Sequence, residues 1–321
     1  MADDVLYHYT DATGLLGILK PIELHSMWAS ELSNVGSLTL RASDVRYLND
    51  RAELRFGAKI LSEVLDQHVN DQDLPKEHAS VLRTLSAEVA ADNLTMNWAT
   101  HRSKIAVHAA CLSQQKDQLS QWRGYGANGG GYAIGVSRDI LQNRSARLQS
   151  GRPDGKGASL YQVHYGLDNA RKFLRDFVST LLRPDDPLND VPYINGDRPT
   201  DFARLACMYA IAQVKHHSFD EEQEWRLITD TSGYDFTEFR TGLNGLIPYV
   251  DLCINPKRVQ RKADSGEYAV LQSELARQSI TSLVVGPGPD QELRVDAARR
   301  LMHKNGYNPE VVTESEVPYR A

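Results

Sequence analysis

The sequence is poor in cysteine and has no apolar run long enough to cross a membrane. Its 321 residues include three cysteines, Cys111, Cys207 and Cys253, and none of them is spaced as CxxC. A sparse, odd-numbered set argues against a disulfide framework or a cysteine zinc site and is typical of a reducing compartment. No apolar run approaches the ~18 residues that a transmembrane helix needs.

A signal peptide and a strong net charge are also missing. The start, MADDVLYHYT, lacks a basic region followed by a long apolar one, so we expect no secretory leader and a cytoplasmic location. The 36 basic and 42 acidic residues give a net charge of −6, which argues against a surface that coats nucleic acid. With 41% apolar and 24% charged residues, the composition is typical of a globular protein.

Several enzyme signatures are absent as well. The sequence contains no HExxH, no GxSxG and no kinase motif set, and its ten histidines show no zinc spacing. These absences argue against zinc proteases, hydrolases with a nucleophile elbow and kinases. They predict no dedicated metal site.

Hydrophobic periodicity predicts short strands mixed with irregularly placed helices, and hence an α+β fold. We expect a single domain over residues 1–321 with a helical insertion at 167–217, and surface excursions at 150–159 and 183–200. Strands are predicted at 5–9, 38–43, 105–113, 131–137, 222–229, 247–254, 282–285 and 310–313. Helices are predicted at 11–20, 51–68, 77–98, 170–182, 201–216 and 290–304.

The first predicted strand carries Tyr7-His8-Tyr9-Thr10. Alternation places His8 and Thr10 on one face, and Thr10 suits the N-cap of the following helix. A histidine here can donate to a ribose hydroxyl, and a tyrosine ring can stack on a planar ligand. The alternative is a half-buried strand whose histidine is satisfied within the protein.

The predicted second helix begins near Asn49-Asp50, with Glu53 three residues after Asp50. This spacing is a variant of the capping box, in which Asp50 caps the helix and Glu53 reaches back to the cap. The alternative is that Asn49 or Asp50 faces a ligand cleft.

The segment from 113 to 131 contains Trp122, Arg123 and Tyr125 followed by several glycines. Aromatic rings, a cation and an approachable backbone are what a nucleotide pocket requires. The alternative is a flexible hairpin with the tryptophan packed on its base.

Glu222, Glu224 and Arg226 form the sharpest pattern, because on a strand their side chains share one face. Two neighbouring carboxylates repel, so one of them should have a raised pKa unless Arg226 or a ligand hydroxyl compensates. Trp225 and Leu227 would anchor the opposite face. The alternative is a solvated strand start with an i,i+2 ion pair, which contributes little.

These motifs, in this order, resemble a bacterial family catalogued as domain of unknown function 2971, and the similarity runs over essentially the whole chain. The matching elements are Tyr7-His8-Tyr9-Thr10 with Gly17-Ile18-Leu19, Leu48-Asn49-Asp50 with Glu53, Cys111-Leu112-Ser113 with Gln121-Trp122-Arg123-Gly124-Tyr125, Glu222-Gln223-Glu224-Trp225-Arg226, Val284-Val285-Gly286-Pro287, and Val317-Pro318-Tyr319-Arg320.

The layout also resembles that of the ADP-ribosyltransferase superfamily, which implies a split, mixed or antiparallel β core with peripheral helices. By this resemblance His8 holds the ribose of NAD, Trp122 or Tyr125 stacks on nicotinamide, Glu224 is catalytic and Glu222 activates the acceptor. The family's Ser-Thr-Ser motif is absent, and Leu40-Arg41-Ala42-Ser43 is a loose stand-in for it. The remaining expected ligand-binding residues are Tyr9, Thr10, Arg41, Ser43, Asn49, Asp50 and Arg226.

We therefore expect an NAD-consuming ADP-ribosyltransferase or NAD glycohydrolase. Its partners would be a nucleotide substrate and a macromolecular acceptor, protein or nucleic acid, and a role as a toxin or in phage defence is compatible with such an activity. One alternative is a non-catalytic module that binds a nucleotide or a nucleic-acid end. Another is a phosphoesterase that holds Mg²⁺ or Mn²⁺ through Asp50, Glu53, Glu222 and Glu224.

Overall fold

The computed structural model describes residues 4–19, 38–48, 51–70, 74–91, 105–126, 130–143, 146–148, 157–182, 198–232, 237–242, 245–254, 259–261, 268–270 and 279–318. The strands are β1 (Val5–Thr10), β2 (Leu38–Asp44), β3 (Ile105–Ser113), β4 (Tyr132–Ser137), β5 (Ala146–Leu148), β6 (Gly157–Gln162), β7 (His164–Tyr165), β8 (Val214–Lys215), β9 (Glu224–Ser232), β10 (Glu238–Gly242), β11 (Gly245–Ile254), β12 (Val259–Arg261), β13 (Tyr268–Val270), β14 (Ser282–Val285) and β15 (Val312–Glu314). The helices are α1 (Ala12–Ile18), α2 (Arg51–Val69), α3 (Lys76–Ala90), α4 (Leu119–Tyr125), α5 (Arg138–Asn143), α6 (Leu167–Leu181), α7 (Arg198–Ile211) and α8 (Gln291–Lys304).

Most of the strands join one mixed sheet. It has 11 strands in the order β10-β11-β5-β6-β9-β3-β1-β4-β14-β15, with β2 pairing to both β11 and β3. The pairs are antiparallel apart from β14 with β15, which is parallel. The predicted α+β class is confirmed.

Pairing through β2 closes part of this sheet into a ring. The order β2-β3-β9-β6-β5-β11 returns to β2, so alternate side chains of these strands point into a shared interior. Leu40, Leu112, Leu227 and Leu252 lie there and are fully or almost fully buried. This interior forms the larger apolar core.

The sheet divides along one edge of β3. β9 pairs with the whole length of β3, from Ile105 to Ser113. β2 and β1 must therefore share the other edge, and β2 pairs with it at His108 and Ala109 in the middle of β3, whereas β1 pairs with it at Ser113, the last residue of β3. Between these two contacts, at Cys111, the sheet opens into a split.

Four helices form a second apolar core beside the sheet. α2, α3, α6 and α7 bury against one another through residues such as Leu61, Leu85, Leu174 and Cys207. α2 and α7 also cover the outer face of β3 and β9, where Ala109 and Ile228 are buried. The start of α2 and the chain just after α7 are thereby brought against β9.

The predicted long elements are confirmed, with ends shifted by a few residues, but the helix predicted at 201–216 is wrong at its end, because it stops at residue 211 and Val214–Lys215 form β8. The helix predicted at 77–98 ends at residue 90, and residues 92–98 lie outside the described residues. The excursion predicted at 150–159 is wrong in its last residues, because Gly157–Gln162 is β6 and Ala158 is buried in the ring. Residues 198–200 of the other excursion belong to α7, and 183–197 are not described. The single domain and its insertion stay predictions.

The first helix is capped one residue later than expected. Asp11, not Thr10, is the N-cap, and its carboxylate accepts a hydrogen bond from the Gly14 amide at 2.7 Å. Thr10 remains in β1, where it pairs with Tyr132. Because strand pairing holds Thr10 in the sheet, the next residue with a suitable side chain, Asp11, is the N-cap.

None of the helices in the described part of the chain combines the length and the apolar character that crossing a bilayer requires.

Gly131 leads into β4 at a point where two backbone segments come very close. A Cβ at this position would lie 2.4 Å from Gly126 Cα and 2.5 Å from the Thr10 carbonyl oxygen. Backbone atoms cannot move aside as a flexible side chain can. We expect Gly131→Ala to lower the free energy of unfolding by about 1–3 kcal/mol, measured by urea denaturation.

Gly124→Ala is the matched control. Gly124 lies in α4, and a Cβ there meets nothing within 4 Å. Alanine should therefore stabilise that helix slightly. Equal stability of the two variants would contradict the close approach at Gly131.

Candidate functional site

Three carboxylates surround the ammonium group of Lys215. Lys215 Nζ lies 2.5 Å from Glu222 Oε2, 2.9 Å from Glu53 Oε1 and 3.1 Å from Glu224 Oε2. Lys215 is in β8, just after α7, and is only 2% exposed. Glu53 comes from the first turn of α2. We call these four residues together with Arg226 the buried charge cluster.

Arg226 joins the same carboxylates from β9. Its Nε donates to Glu224 Oε1 at 2.8 Å, and its Nη2 donates to Glu224 Oε2 at 3.0 Å and to Glu53 Oε2 at 2.9 Å. Its Nη1 donates to the Ala212 carbonyl at 2.7 Å. The guanidinium is thus bonded to three elements, and Glu224 receives it in the bidentate manner that makes such pairs strong.

Glu222 contacts the cluster from a 3-10 helix and not from the strand on which the sequence analysis placed it. β9 begins at Glu224, and Glu222 ends the 3-10 helix His217–Glu222. Gln223 between them adopts a left-handed conformation with φ of 42°. The expectation of one strand face is therefore wrong for Glu222, although the turn at Gln223 still directs its carboxylate to Lys215.

The two glutamates have opposite pKa shifts. Burial opposes ionisation of Glu224, but Arg226 and Lys215 outweigh it and lower its pKa to about 2. Burial raises the pKa of Glu222, and Lys215 compensates only in part. The expectation that one of the two carboxyls has a raised pKa is confirmed, and the one affected is Glu222.

The carboxylate of Glu53 is part of the buried charge cluster. It binds Lys215 and Arg226, and the residue is buried. Two buried cations attract a carboxylate more strongly than a backbone amide does. Asn49 and Asp50 lie outside the described residues, so their expected roles stay predictions.

The segment after β3 forms the short helix α4 and not a flexible hairpin. Trp122 has no exposed surface, packs edge-on against Tyr9 with ring centroids 4.7 Å apart, and donates from Nε1 to Asp117 Oδ1 at 2.6 Å. The Tyr9 hydroxyl donates to the Gln115 carbonyl at 2.7 Å. Trp122 and Tyr9 therefore build the core, and neither offers a free ring face to a ligand.

Tyr125, at the end of α4, lies near the charge cluster. It is partly buried. Burial raises its pKa, and the nearby charges of Glu222 and Glu224 add to the increase. Of the two aromatic residues expected to stack on a ligand, only Tyr125 keeps exposed surface.

His8 lies at the split in the sheet. Its Nδ1 donates to the Cys111 carbonyl at 2.8 Å, because a carbonyl oxygen can only accept, and this leaves the lone pair of Nε2 available. Burial lowers the pKa of His8, so the ring is neutral at pH 7. Nε2 can therefore accept a ligand hydroxyl, whereas the sequence analysis expected it to donate.

Cys111 connects the two halves of this region. Its carbonyl binds His8, and its thiol faces the Glu224 carboxylate on the other side of β3. Burial and the negative charge of Glu224 raise the pKa of this thiol well above its usual value. Cys111 is thus a hydrogen-bond donor to Glu224 and not a thiolate.

Arg41 and Ser43 lie on one face of β2, beside Tyr249 of β11. The Arg41 guanidinium stands over the Tyr249 ring at 5.1 Å. Arg240 of β10 donates from Nη2 to Ser43 Oγ at 3.1 Å. Ser43 pairs with Ala109 of β3, so Arg41, two residues earlier on β2, lies next to the split.

Two residues of this region, Lys215 and Arg240, were not predicted from the sequence. Lys215 follows an apolar helix, and Arg240 lies in a short hairpin, so no local pattern marks either of them. In the described residues, no group of three or more His, Cys, Asp or Glu side chains is placed to hold a metal ion.

A separate cavity of about 570 Å³ lies between α6, α7 and β9 and is lined by residues such as Phe173, Phe177 and Tyr209.

Comparison with known proteins matches part of the chain to a protein family. The model of a family described as "Protein of unknown function (DUF2971)" matches residues 121–227. The family resemblance expected from the motifs is confirmed over that segment. The DUF2971 segment runs from α4 to β9 and contains the whole buried charge cluster except Glu53. No curated protein and no solved structure matches the chain.

Glu224 and Glu222 should differ in their effect on stability. Glu224→Gln removes the carboxylate that receives Arg226 with two hydrogen bonds and also binds Lys215, so we expect it to lower the free energy of unfolding at pH 7 by about 3 kcal/mol. Glu222→Gln removes a carboxylate whose ionisation the fold disfavours, so stability at pH 7 should be unchanged or higher. Urea denaturation measures both.

The pH dependence provides a second check. Because the pKa of Glu224 falls from 4.5 to about 2 on folding, its contribution is complete above pH 4.5 and is lost as the pH falls towards 2. Wild type should lose stability over this window, and Glu224→Gln should lose less. Identical acid profiles would contradict a structural role for the ionised Glu224.

Proposed function

We propose that this protein cleaves the nicotinamide–ribose bond of NAD, as an ADP-ribosyltransferase or an NAD glycohydrolase. The observation that carries the proposal is the split in the sheet at Cys111, where His8 on one side and the buried charge cluster on the other are separated by a single residue. The resemblance of the sequence layout to the ADP-ribosyltransferase superfamily supports the same reaction.

His8 would hold a ribose hydroxyl. Its Nδ1 is fixed by the Cys111 carbonyl, which orients the ring and leaves Nε2 as an acceptor. A neutral ring accepts a hydroxyl proton, and a lowered pKa keeps it neutral. Tyr125, which lies on the same side of the split as the charge cluster, would pack against the planar nicotinamide ring.

The negative charge of the cluster would stabilise the reaction's transition state. As the bond from ribose C1′ to the nicotinamide nitrogen breaks, nicotinamide leaves with the bonding electrons and positive charge builds on the ribose. Three carboxylates face two cations in the cluster, so one negative charge has no cation of its own. Preorganised charge of this kind lowers a barrier without reorganisation during the reaction.

Glu222 is the better candidate for the base than Glu224. Its one ion-pair partner in the described residues is Lys215, and its pKa is raised. A carboxylate with a raised pKa accepts a proton more readily. It would take the proton of the acceptor hydroxyl, or of water, as that oxygen bonds to C1′. Glu224, held by Arg226 and Lys215, would position the site.

A second function is favoured by one observation. The late-strand glutamate that the superfamily resemblance makes catalytic, Glu224, is already bonded to two cations. A module that binds a nucleotide without cleaving it would keep this arrangement. A metal-dependent phosphoesterase has less support, because the Lys215 ammonium lies between the carboxylates that would hold the metal.

Incubation of the purified protein with NAD, following free nicotinamide, tests the reaction. Cell extract supplies an acceptor. We expect release by wild type and a fall of about 10²–10⁴-fold in Glu222→Gln, the range for removal of a general base. Glu221→Gln is the matched control, because Glu221 is the exposed neighbour and should leave the rate unchanged.

NAD binding without nicotinamide release by wild type would favour the binding module. Absence of both binding and release would overturn the NAD proposal. Equal rates for Glu222→Gln and wild type would remove Glu222 from the mechanism.

His8→Asn tests the ribose contact separately. The asparagine amide can still donate to the Cys111 carbonyl, so the fold should be kept, but the Nε2 acceptor is lost. We expect NAD to bind about tenfold more weakly, as for loss of one hydrogen bond in a site. His303→Asn, on exposed α8, is the control. Unchanged NAD affinity in His8→Asn would exclude the ribose contact.

A further inference from the structure

Two guanidinium groups converge beside the split from separate elements. Arg41 comes from β2 and Arg240 from the β10–β11 hairpin, and both side chains are partly buried. Each is held in place: Arg41 stands over the Tyr249 ring, and Arg240 donates to Ser43 Oγ. Ser43 and Tyr249 pair directly across β2 and β11, so the two supports are adjacent.

The two charges are close enough to repel. Burial lowers the pKa of Arg240, and the charge of Arg41 lowers it further. Among the ion pairs of the described residues, none joins Arg41 or Arg240 to a carboxylate. Asp11, whose charge raises the pKa of Arg240, already accepts the Gly14 amide as the cap of α1. Two neighbouring positive charges lower the affinity of this surface for a cation and raise its affinity for an anion.

α1 leaves space for this pair. A Cβ at Gly17 would lie 2.6 Å from Arg41 Nη2, so only glycine lets the guanidinium lie against the helix. The position of Arg41 thus depends on contacts from α1 and β11 together. An arginine fixed in this way loses little entropy when it binds a ligand.

We propose that Arg41 and Arg240 form a clamp for the diphosphate group of the nucleotide substrate. Guanidinium groups match phosphate oxygens in geometry and charge, and two of them suit two linked phosphates. This inference rests on the proposed function, since it assigns the diphosphate of NAD to the side of the split next to His8. Arg41 lies two residues before Ser43 on β2, next to the point where β2 leaves β3 at the split, so a ligand whose ribose contacts His8 would extend towards the two arginines.

Binding of ADP-ribose and of inorganic pyrophosphate by calorimetry tests the clamp. Neither ligand requires cleavage, so the result does not depend on catalysis. We expect Arg240→Gln to weaken both by about tenfold or more, the effect of losing a charged hydrogen bond. Arg300→Gln, which removes the same charge from exposed α8, should bind both as wild type does.

Gly17→Ala is a second variant that keeps every charge. Its methyl group displaces the Arg41 guanidinium, and alanine suits the helix, so we expect a folded protein with weaker binding of both ligands. Affinities of Arg240→Gln and Gly17→Ala equal to that of wild type would overturn the clamp, as would absence of ADP-ribose and pyrophosphate binding by wild type.

The clamp and the proposed function fail in different ways. Pyrophosphate binding that is lost in Arg240→Gln, with no nicotinamide release by wild type, would support the clamp and contradict NAD cleavage. Nicotinamide release with ADP-ribose affinity unchanged in Arg240→Gln would support cleavage and overturn the clamp.

Discussion

The buried charge cluster is the interaction on which the rest of the site depends. Lys215 and Arg226 are each about 2% exposed, and a buried cation without partners is costly. Their partners come from α2, from the 3-10 helix before β9 and from β9 itself, so these elements must be in place together. Docking of the helical core on the sheet and satisfaction of the two cations are therefore one event.

The topology supplies a second constraint, which is the sharing of one edge of β3. Because β9 occupies one edge of β3 completely, β2 and β1 share the other edge, β2 at its middle and β1 at its last residue, and the sheet opens between them at Cys111. His8 closes that opening with a side-chain hydrogen bond where a strand would supply a backbone one. The split therefore arises from strand pairing, and the imidazole is fixed there because the backbone carbonyl needs a donor.

The fold was largely predictable because, in long periodic segments, the spacing of apolar residues shows which face of a helix or strand is buried. α2, β3, β9 and α8 were each recognisable from the spacing of their apolar residues. Closure of the ring through β2 was not, since strand pairing depends on partners far apart in sequence. β6 was read as a surface excursion because its glycine-rich surroundings hide a short buried strand.

The site was predictable only where the interacting residues are close together in the sequence. The Glu222, Glu224 and Arg226 pattern indicated a strained pair of carboxylates, and the raised pKa of Glu222 confirms it. Glu53 looked like a helix cap because the cations that attract it, Lys215 and Arg226, lie more than a hundred residues away. Trp122 looked like a ligand-binding residue because sequence does not show that Tyr9 and Asp117 enclose it.

The contrast between the two glutamates decides how the proposed chemistry is divided. Glu224 accepts from two cations, so its charge is already compensated and responds weakly to a new positive charge. Glu222 shares one cation with two other carboxylates, so it carries the excess charge of the cluster. A substrate that becomes positive at its sugar would relieve that excess, whereas a neutral or negative group would not. The cluster is thus stable enough to fold, because four of its charges balance, and it retains one carboxylate whose ionisation a developing cation would favour.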